Sequence, residues 1–282
     1  MDYQTISRIF SRPVVLELAQ KNRADLFKGI LRGSYPASML EDKPIFFIYD
    51  EIYRLLQKKY RNEYIYKNEI AKKIIKGCHR YNNVSYVNEF KVNGCIADVA
   101  IFNGTSTAYE IKTELDSFDR LQEQLSVYKE VFEFVHLVIP AHKLTQALDL
   151  VDENTGVIIL KENNVLKYER LAKSNMDVLS KDKIFNCFRP TEYISLHEDI
   201  TGSKPLGRAA DVKHECRRVF LDLNTEHAHA EMLKILRKRS LENFEKENFR
   251  ALPQSLLATL LNLRLNHKSL ISLRENIRET IC

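Results

Sequence analysis

Within residues 95–128 (CIADVAIFNGTSTAYEIKTELDSFDRLQEQLSVY), Asp98, Glu110 and Lys112 are spaced so that two carboxylates and an ammonium can meet. Residues 92–102 are mostly apolar, and a period of two places Ile96, Asp98 and Ala100 on one face of a strand. Asn103-Gly104 and the small residues after it read as a turn into a second strand, 107–113, on which Ala108, Glu110 and Lys112 share a face. A charged cluster of this kind is costly unless a cation or an anionic substrate completes it. Hard carboxylate oxygens on rigid neighbouring strands suit Mg2+ or Mn2+, which would polarise a phosphate ester and acidify a bound water, with Lys112 orienting or activating that water. Taken alone, a Glu-x-Lys triplet reads as a salt bridge, so the surrounding elements decide.

Those elements follow in a useful order. Asp116 or Ser117 is placed to cap a helix over 118–132, whose first turn is acidic. Arg120, Gln124 and Tyr128 recur at helical spacing along one stripe of it, and Leu121, Leu125 and Phe132 form an adjoining apolar stripe for the sheet. FVHLVI (134–139), closed by Pro140, and GVIIL (156–160) read as buried strands. Strand, helix, strand in this order predicts a crossover unit in a mixed α/β domain.

Asp98, then Glu110-x-Lys112, then a helix with Gln124 and Tyr128, resembles the PD-(D/E)XK nuclease superfamily. The Gln-x-x-x-Tyr spacing is similar to the RecB-like branch. The run of Asp116, Arg120, Leu121, Gln124 and Tyr128 after E-I-K resembles a bacterial subfamily known by a locus-derived name. The likeness covers about residues 64–138, and it departs from the superfamily's usual pattern in placing Ala97, not Pro, before Asp98. It implies a restriction-endonuclease-like core, a central mixed β-sheet flanked by helices. It further implies a metal held by Asp98, Glu110 and the carbonyl of Ile111, catalysis by Lys112, and substrate positioning by Arg120, Gln124 and Tyr128. Two residues compete for a third acid. Glu89 sits on the strand before the hairpin and matches the subfamily pattern better; it reads otherwise as an edge-strand acid paired with Lys91. Glu69 lies on the preceding helix, beside Lys72 and Lys73, and reads otherwise as a solvated helix charge.

The rest of the chain supplies context. Its 282 residues are enough for a large core, divided in sequence order into an N-terminal helical segment (1–62), the nuclease core (63–172) and a mainly helical C-terminal part (173–282). Helices are expected over 3–10, 14–31, 46–60, 68–78, 208–220, 226–247, 255–265 and 269–281. No apolar run is long enough to cross a bilayer and MDYQTISRIF has no leader-like pattern, which points to the cytoplasm. Five scattered cysteines form no C-x-x-C pair and read as free thiols. The net charge of +5 allows phosphate binding, with 58–61, Lys72, Lys73, Lys76, Arg80, Arg217, Arg218 and 234–239 as candidate backbone contacts. His214, Cys216, His227 and His229 are zinc-type residues, but i, i+2 pairs on a helix diverge.

Two functions are carried forward. One is a Mg2+- or Mn2+-dependent nuclease acting on DNA ahead of RNA, in phage defence or on a mobile element, with its C-terminal helices available to a second copy or an activating partner. The other is a nucleic-acid-binding or regulatory protein on the same fold that does not cleave.

Overall fold

The computed structural model describes residues 1–21, 23–77, 84–239, 252–263 and 265–280. Cys78, Arg80, Cys282, the side chain of Lys76 and the part of the 226–247 helix beyond 239 lie outside the described residues. The chain forms two compact units that alternate along it: 1–82, 160–166 and 241–282 make one, 83–159 and 167–240 the other.

The first unit is helical. It contains α1 (Tyr3–Ser7), α2 (Arg12–Gln20), α3 (Asp25–Leu31), α4 (Ile45–Lys59) and α5 (Glu63–Gly77), joined by Leu257–Asn262 and His267–Asn276. Phe10 is its hub, with ring centroids 4.6 Å from Tyr64, 5.5 Å from Tyr49 and 5.8 Å from Tyr53. Asn68 ties α5 to the late segment, donating to the Gln254 carbonyl (2.9 Å) and accepting from the Ala258 N–H (2.9 Å). That pairing gives each end of a fully buried amide a partner, which it would be costly to lack.

The second unit carries β1 (Ser85–Val92), β2 (Cys95–Phe102), β3 (Ser106–Ile111), α6 (Leu121–Lys129), β4 (Phe134–Pro140), α7 (Leu144–Leu150), and all but the terminal Leu160 and Leu166 of β5 (Gly156–Leu160) and β6 (Leu166–Arg170). Four helices follow: α8 (Lys181–Phe185), α9 (Pro190–Thr201), α10 (Ala209–Leu221) and α11 (Thr225–Arg237). The strands form one sheet in the order β1-β2-β3-β4-β5-β6. β1, β2 and β3 pair antiparallel; β3 and β4 pair parallel, with α6 as their crossover. The chain is therefore α/β, with a mixed six-stranded sheet flanked by helices, as the order of its segments led us to expect.

Local chemistry explains the hairpins. Asn93 and Gly94 both have positive φ (45° and 91°) between the paired Val92 and Cys95, the backbone twist that a two-residue turn needs. β3 is buried at every position, and β4 at all but Phe134, so both strands are covered on both faces, although β3 carries Ser106, Thr107 and Glu110 among its buried residues. Ala100 and Ala108, cross-strand partners, leave room for Leu121, Leu125 and Tyr128 of α6 to pack close to the sheet. Phe102 stacks on Phe132 (5.9 Å) and touches Phe90 (5.4 Å).

The helix expected over 118–132 is shorter, Leu121–Lys129, and neither Asp116 nor Ser117 caps it. Asp116 instead accepts from the Thr113 N–H and hydroxyl, both at 2.7 Å, and Ser117 donates to Asp119. These side chains close a turn, which competes with helix for the same backbone. None of the described helices is long and apolar enough to cross a membrane. Cys95, Cys187 and Cys216 are free thiols.

Candidate active site

The site lies where β2 and β3 separate. Their ladder runs from Phe102↔Ser106 to Val99↔Tyr109 and stops. At the next position the Ile111 N–H donates to the Asp98 carboxylate (2.7 Å) rather than to a β2 carbonyl. A side chain thus takes the place of a ladder bond, and the strand ends are held apart while their donors stay satisfied.

Glu110 and Lys112 project from the end of β3 toward α6. Glu110 is only 1% exposed. Its Oε1 accepts from the Lys112 ammonium (2.8 Å) and its Oε2 contacts the Tyr128 hydroxyl (2.9 Å). Lys112 also donates to the amide oxygen of Gln124 (2.9 Å). Gln124 and Tyr128, one helical turn apart, therefore hold the lysine and the acid respectively. The Tyr128 hydroxyl lies 2.6 Å from the Ile96 carbonyl as well, and its single proton can serve only one of the two acceptors at a time. Burial raises the pKa of this phenol far above its ordinary value, and the nearby Glu110 and Asp98 carboxylates add to the effect. Tyr128 remains protonated and acts as a donor.

The structure thus gathers Asp98, Glu110, Ile111, Lys112, Gln124 and Tyr128 into one network. Tyr128 is fully buried, and its hydroxyl meets the Glu110 carboxylate. Arg120 stands apart from the network, exposed at the start of α6 with a long contact to Glu123 (3.8 Å). Glu89 is exposed on β1 with φ 55°, in the left-handed region that costs a Glu of order 1–3 kcal/mol. It stands with Asp98 between two ladder pairs, Asn88↔Val99 and Phe90↔Ala97. Glu69, its rival, belongs to the helical unit, where Tyr53 (2.8 Å), Gln57 (3.0 Å) and Lys72 (2.8 Å) all donate to its Oε1.

The donors that could hold a metal are hard oxygens, of the type that suits Mg2+ or Mn2+. Among the described residues no group of three or more His, Cys, Asp or Glu is arranged to hold an ion. Asp98 and Glu110 would supply two such carboxylates, beside oxygen ligands from the backbone, a further acid, water or phosphate. The four zinc-type residues do not converge: His229 is buried against Ser106 (2.8 Å), and His227 is exposed.

Sequence reasoning missed Lys143. Its ammonium donates to the carbonyls of Thr113 (2.8 Å) and Asp116 (2.5 Å) and lies 5.4 Å from the Phe118 ring, fastening the loop between Lys112 and α6. A lysine just past a buried strand, in the sequence FVHLVIPAHK, was the available signal. Several cations expected to meet phosphate are already paired. Arg217 bonds Asp182, Arg218 bonds Glu215, Lys234 bonds Asp199, and Arg239 makes a two-pronged bond with Glu192. Arg61 donates to the Lys161 carbonyl.

Comparisons with known proteins bear on most of the chain. The family model described as bacteriophage P4 protein cII matches residues 56–274. Protein cII of Enterobacteria phage P4 is 38% identical over 68 residues, 24% of this chain and 26% of that protein, so the match spans about a quarter of the relative's length. Among solved structures, the SPO1766 protein of unknown function from Silicibacter pomeroyi aligns with 14% identity and a TM-score of 0.33. That alignment covers 50% of this chain and 93% of the other, and a likeness this low carries no argument.

Proposed function

The chain belongs to the bacteriophage P4 protein cII family, and we propose that it is a metal-dependent nuclease of the PD-(D/E)XK type, acting on DNA. The observation that carries this reading is the buried Glu110 carboxylate, bound by Lys112 and Tyr128 at the separated strand ends where Asp98 is fixed by the Ile111 N–H. Breaking such a buried arrangement is expensive, and apolar residues of similar volume would often be at least as stable, which favours a chemical reason for it.

In this reading the sheet unit has a restriction-endonuclease-like core. Asp98 and Glu110, with the Ile111 carbonyl, hold Mg2+ or Mn2+, and Glu89 is the third acid. The cation, when bound, supplies charge stabilisation on a phosphate and a more acidic water. Lys112 orients the attacking water and offsets charge developing on the phosphate oxygens. Gln124 fixes the lysine, Tyr128 fixes Glu110, and Arg120 meets the nucleic-acid backbone from the exposed start of α6. The setting is a mobile element or phage defence, in the cytoplasm. The helices after residue 173 offer a surface for a second copy or an activating partner.

One observation favours the reading without cleavage. Lys112 already has an ion-pair partner in Glu110 and an amide partner in Gln124, as a purely structural lysine would. The test is cleavage of linear and circular duplex DNA, single-stranded DNA and RNA with Mg2+ or Mn2+, by wild type, Asp98→Ala and Lys112→Ala. Metal-dependent cutting that both substitutions abolish is expected. Absence of cutting by folded wild-type protein, with DNA binding retained, would give the field to the binding-only reading.

A further inference from the structure

We infer that Lys143 is a pre-fixed cation that takes a backbone phosphate of the nucleic acid next to the one held at Asp98 and Glu110; the inference rests on the nuclease reading for its choice of ligand. β3 and β4 are parallel, and their ladder ends at Ile111↔Val138, followed by the Lys112 N–H bonding the Val138 carbonyl (3.0 Å). Both strands therefore deliver their next residues to the same end of the sheet. In sheets with parallel strands, ligands bind outside these carboxyl ends. β3 delivers Lys112 there. β4 delivers Lys143, in the single 3-10 turn Ala141–Lys143.

The ammonium of Lys143 is fixed before any ligand arrives. Two carbonyls of the β3–α6 loop and the face of Phe118 hold it, and one of those carbonyls belongs to the residue after Lys112. Ordering a lysine costs side-chain entropy, a cost already met here by folding. Its charge is nevertheless uncompensated: among the described residues no carboxylate lies within 4.0 Å of it, and it makes no further hydrogen bond. Asp116, whose carbonyl it takes, directs its carboxylate to Thr113 instead. Lys129, Lys183 and Lys112 all have acid partners. Lys181 is the instructive contrast. It too donates to two carbonyls, Leu221 and Leu223, but these lie at the C-terminal end of α10, where a helix dipole accounts for a cation. Thr113 and Asp116 end no helix. With two of its three N–H groups on carbonyls, Lys143 keeps one donor and a full charge for an anion.

The experiment compares wild type, Lys143→Met and Lys143→Arg, each first checked by thermal melting. Binding of a fluorescent oligonucleotide is followed against salt in EDTA, and kcat and KM are followed with Mg2+. Lys143→Met should weaken binding about tenfold and lower the salt slope by about one, raising KM with kcat nearly unchanged. Lys143→Arg should restore most of the slope. A Met variant with wild-type slope and KM overturns the inference while leaving the nuclease reading intact, and so does a fall in kcat alone, which marks a loop clamp. If wild type binds without cleaving and the slope still falls, the nuclease reading fails and Lys143 stands. Wild type that neither binds nor cleaves removes both.

Discussion

Glu69 and Glu110, one in each unit, are surrounded by the same residue types and are used differently. On α5, Tyr53, Gln57 and Lys72 all donate to one oxygen of Glu69. At the end of β3, Lys112 and Tyr128 take separate oxygens of Glu110, and both reach onward, to Gln124 and to the Ile96 carbonyl. Gln57 donates to its acid, whereas Gln124 accepts from its lysine. A second carboxylate, Asp98, locks the neighbouring strand. A Glu, Lys, Tyr and Gln near one another are thus no signature of chemistry. What separates the clusters is backbone: helix faces close over Glu69, while parting strands leave Glu110 beside a second acid.

The comparison can be broken most sharply through stability. Glu110→Ala strands a half-buried ammonium and a buried phenol, and should cost about 3–5 kcal/mol in denaturant unfolding. Glu69→Ala, at a carboxylate that gathers three donors on one oxygen, should cost about 1–3 kcal/mol. Equal losses would erase the distinction. Cleavage comes next. Glu110→Gln should lower kcat/KM about a hundredfold or more, and Glu69→Gln should leave it unchanged. A smaller effect separates the tyrosines: Tyr128→Phe and Tyr53→Phe should each cost about 1–2 kcal/mol, but only Tyr128→Phe should slow cleavage.

The smallest effect comes from a control at the turn end of β3. There the Ser106 hydroxyl meets His229 Nε2 at 2.8 Å, with Glu133 4.0 Å away. Burial lowers the His229 pKa from its ordinary 6.5. The unfolded chain therefore takes up the proton first, so this contribution is intact above pH 6.5 and is lost as pH falls from there toward the folded value. His229→Gln should flatten that part of the stability profile, and an unchanged slope would assign it to other groups.

How much of this was legible depends on distance along the chain. Alternation placed Asp98 with Ala100 and Glu110 with Lys112, and helical spacing placed Gln124 with Tyr128, because each relation is fixed by a local repeat. Tyr128 was legible as a member of the site but not as the partner of a buried Glu110, since burial depends on how closely α6 lies on Ala100 and Ala108. Lys143 lies 30 residues from Thr113 in sequence, and no local repeat joins them. The turn at 113–118 defeated a helix expectation because Asp116, a good cap in isolation, had a nearer donor in Thr113. The cations at 217, 218, 234 and 239 looked free in one dimension and are ion-paired in three.

The complete burial of β3 has a practical consequence for anyone wishing to alter what this protein acts on. A strand covered on both sides cannot be varied one residue at a time without disturbing the packing that fixes Glu110, so diversity introduced there would mostly yield poorly folded clones. The Asn93-Gly94 hairpin tip with Ile96, 48% exposed, and the loop around Leu115, 74% exposed, border the same cluster with far fewer neighbours. Libraries confined to those two rims would sample new surfaces around an unchanged centre.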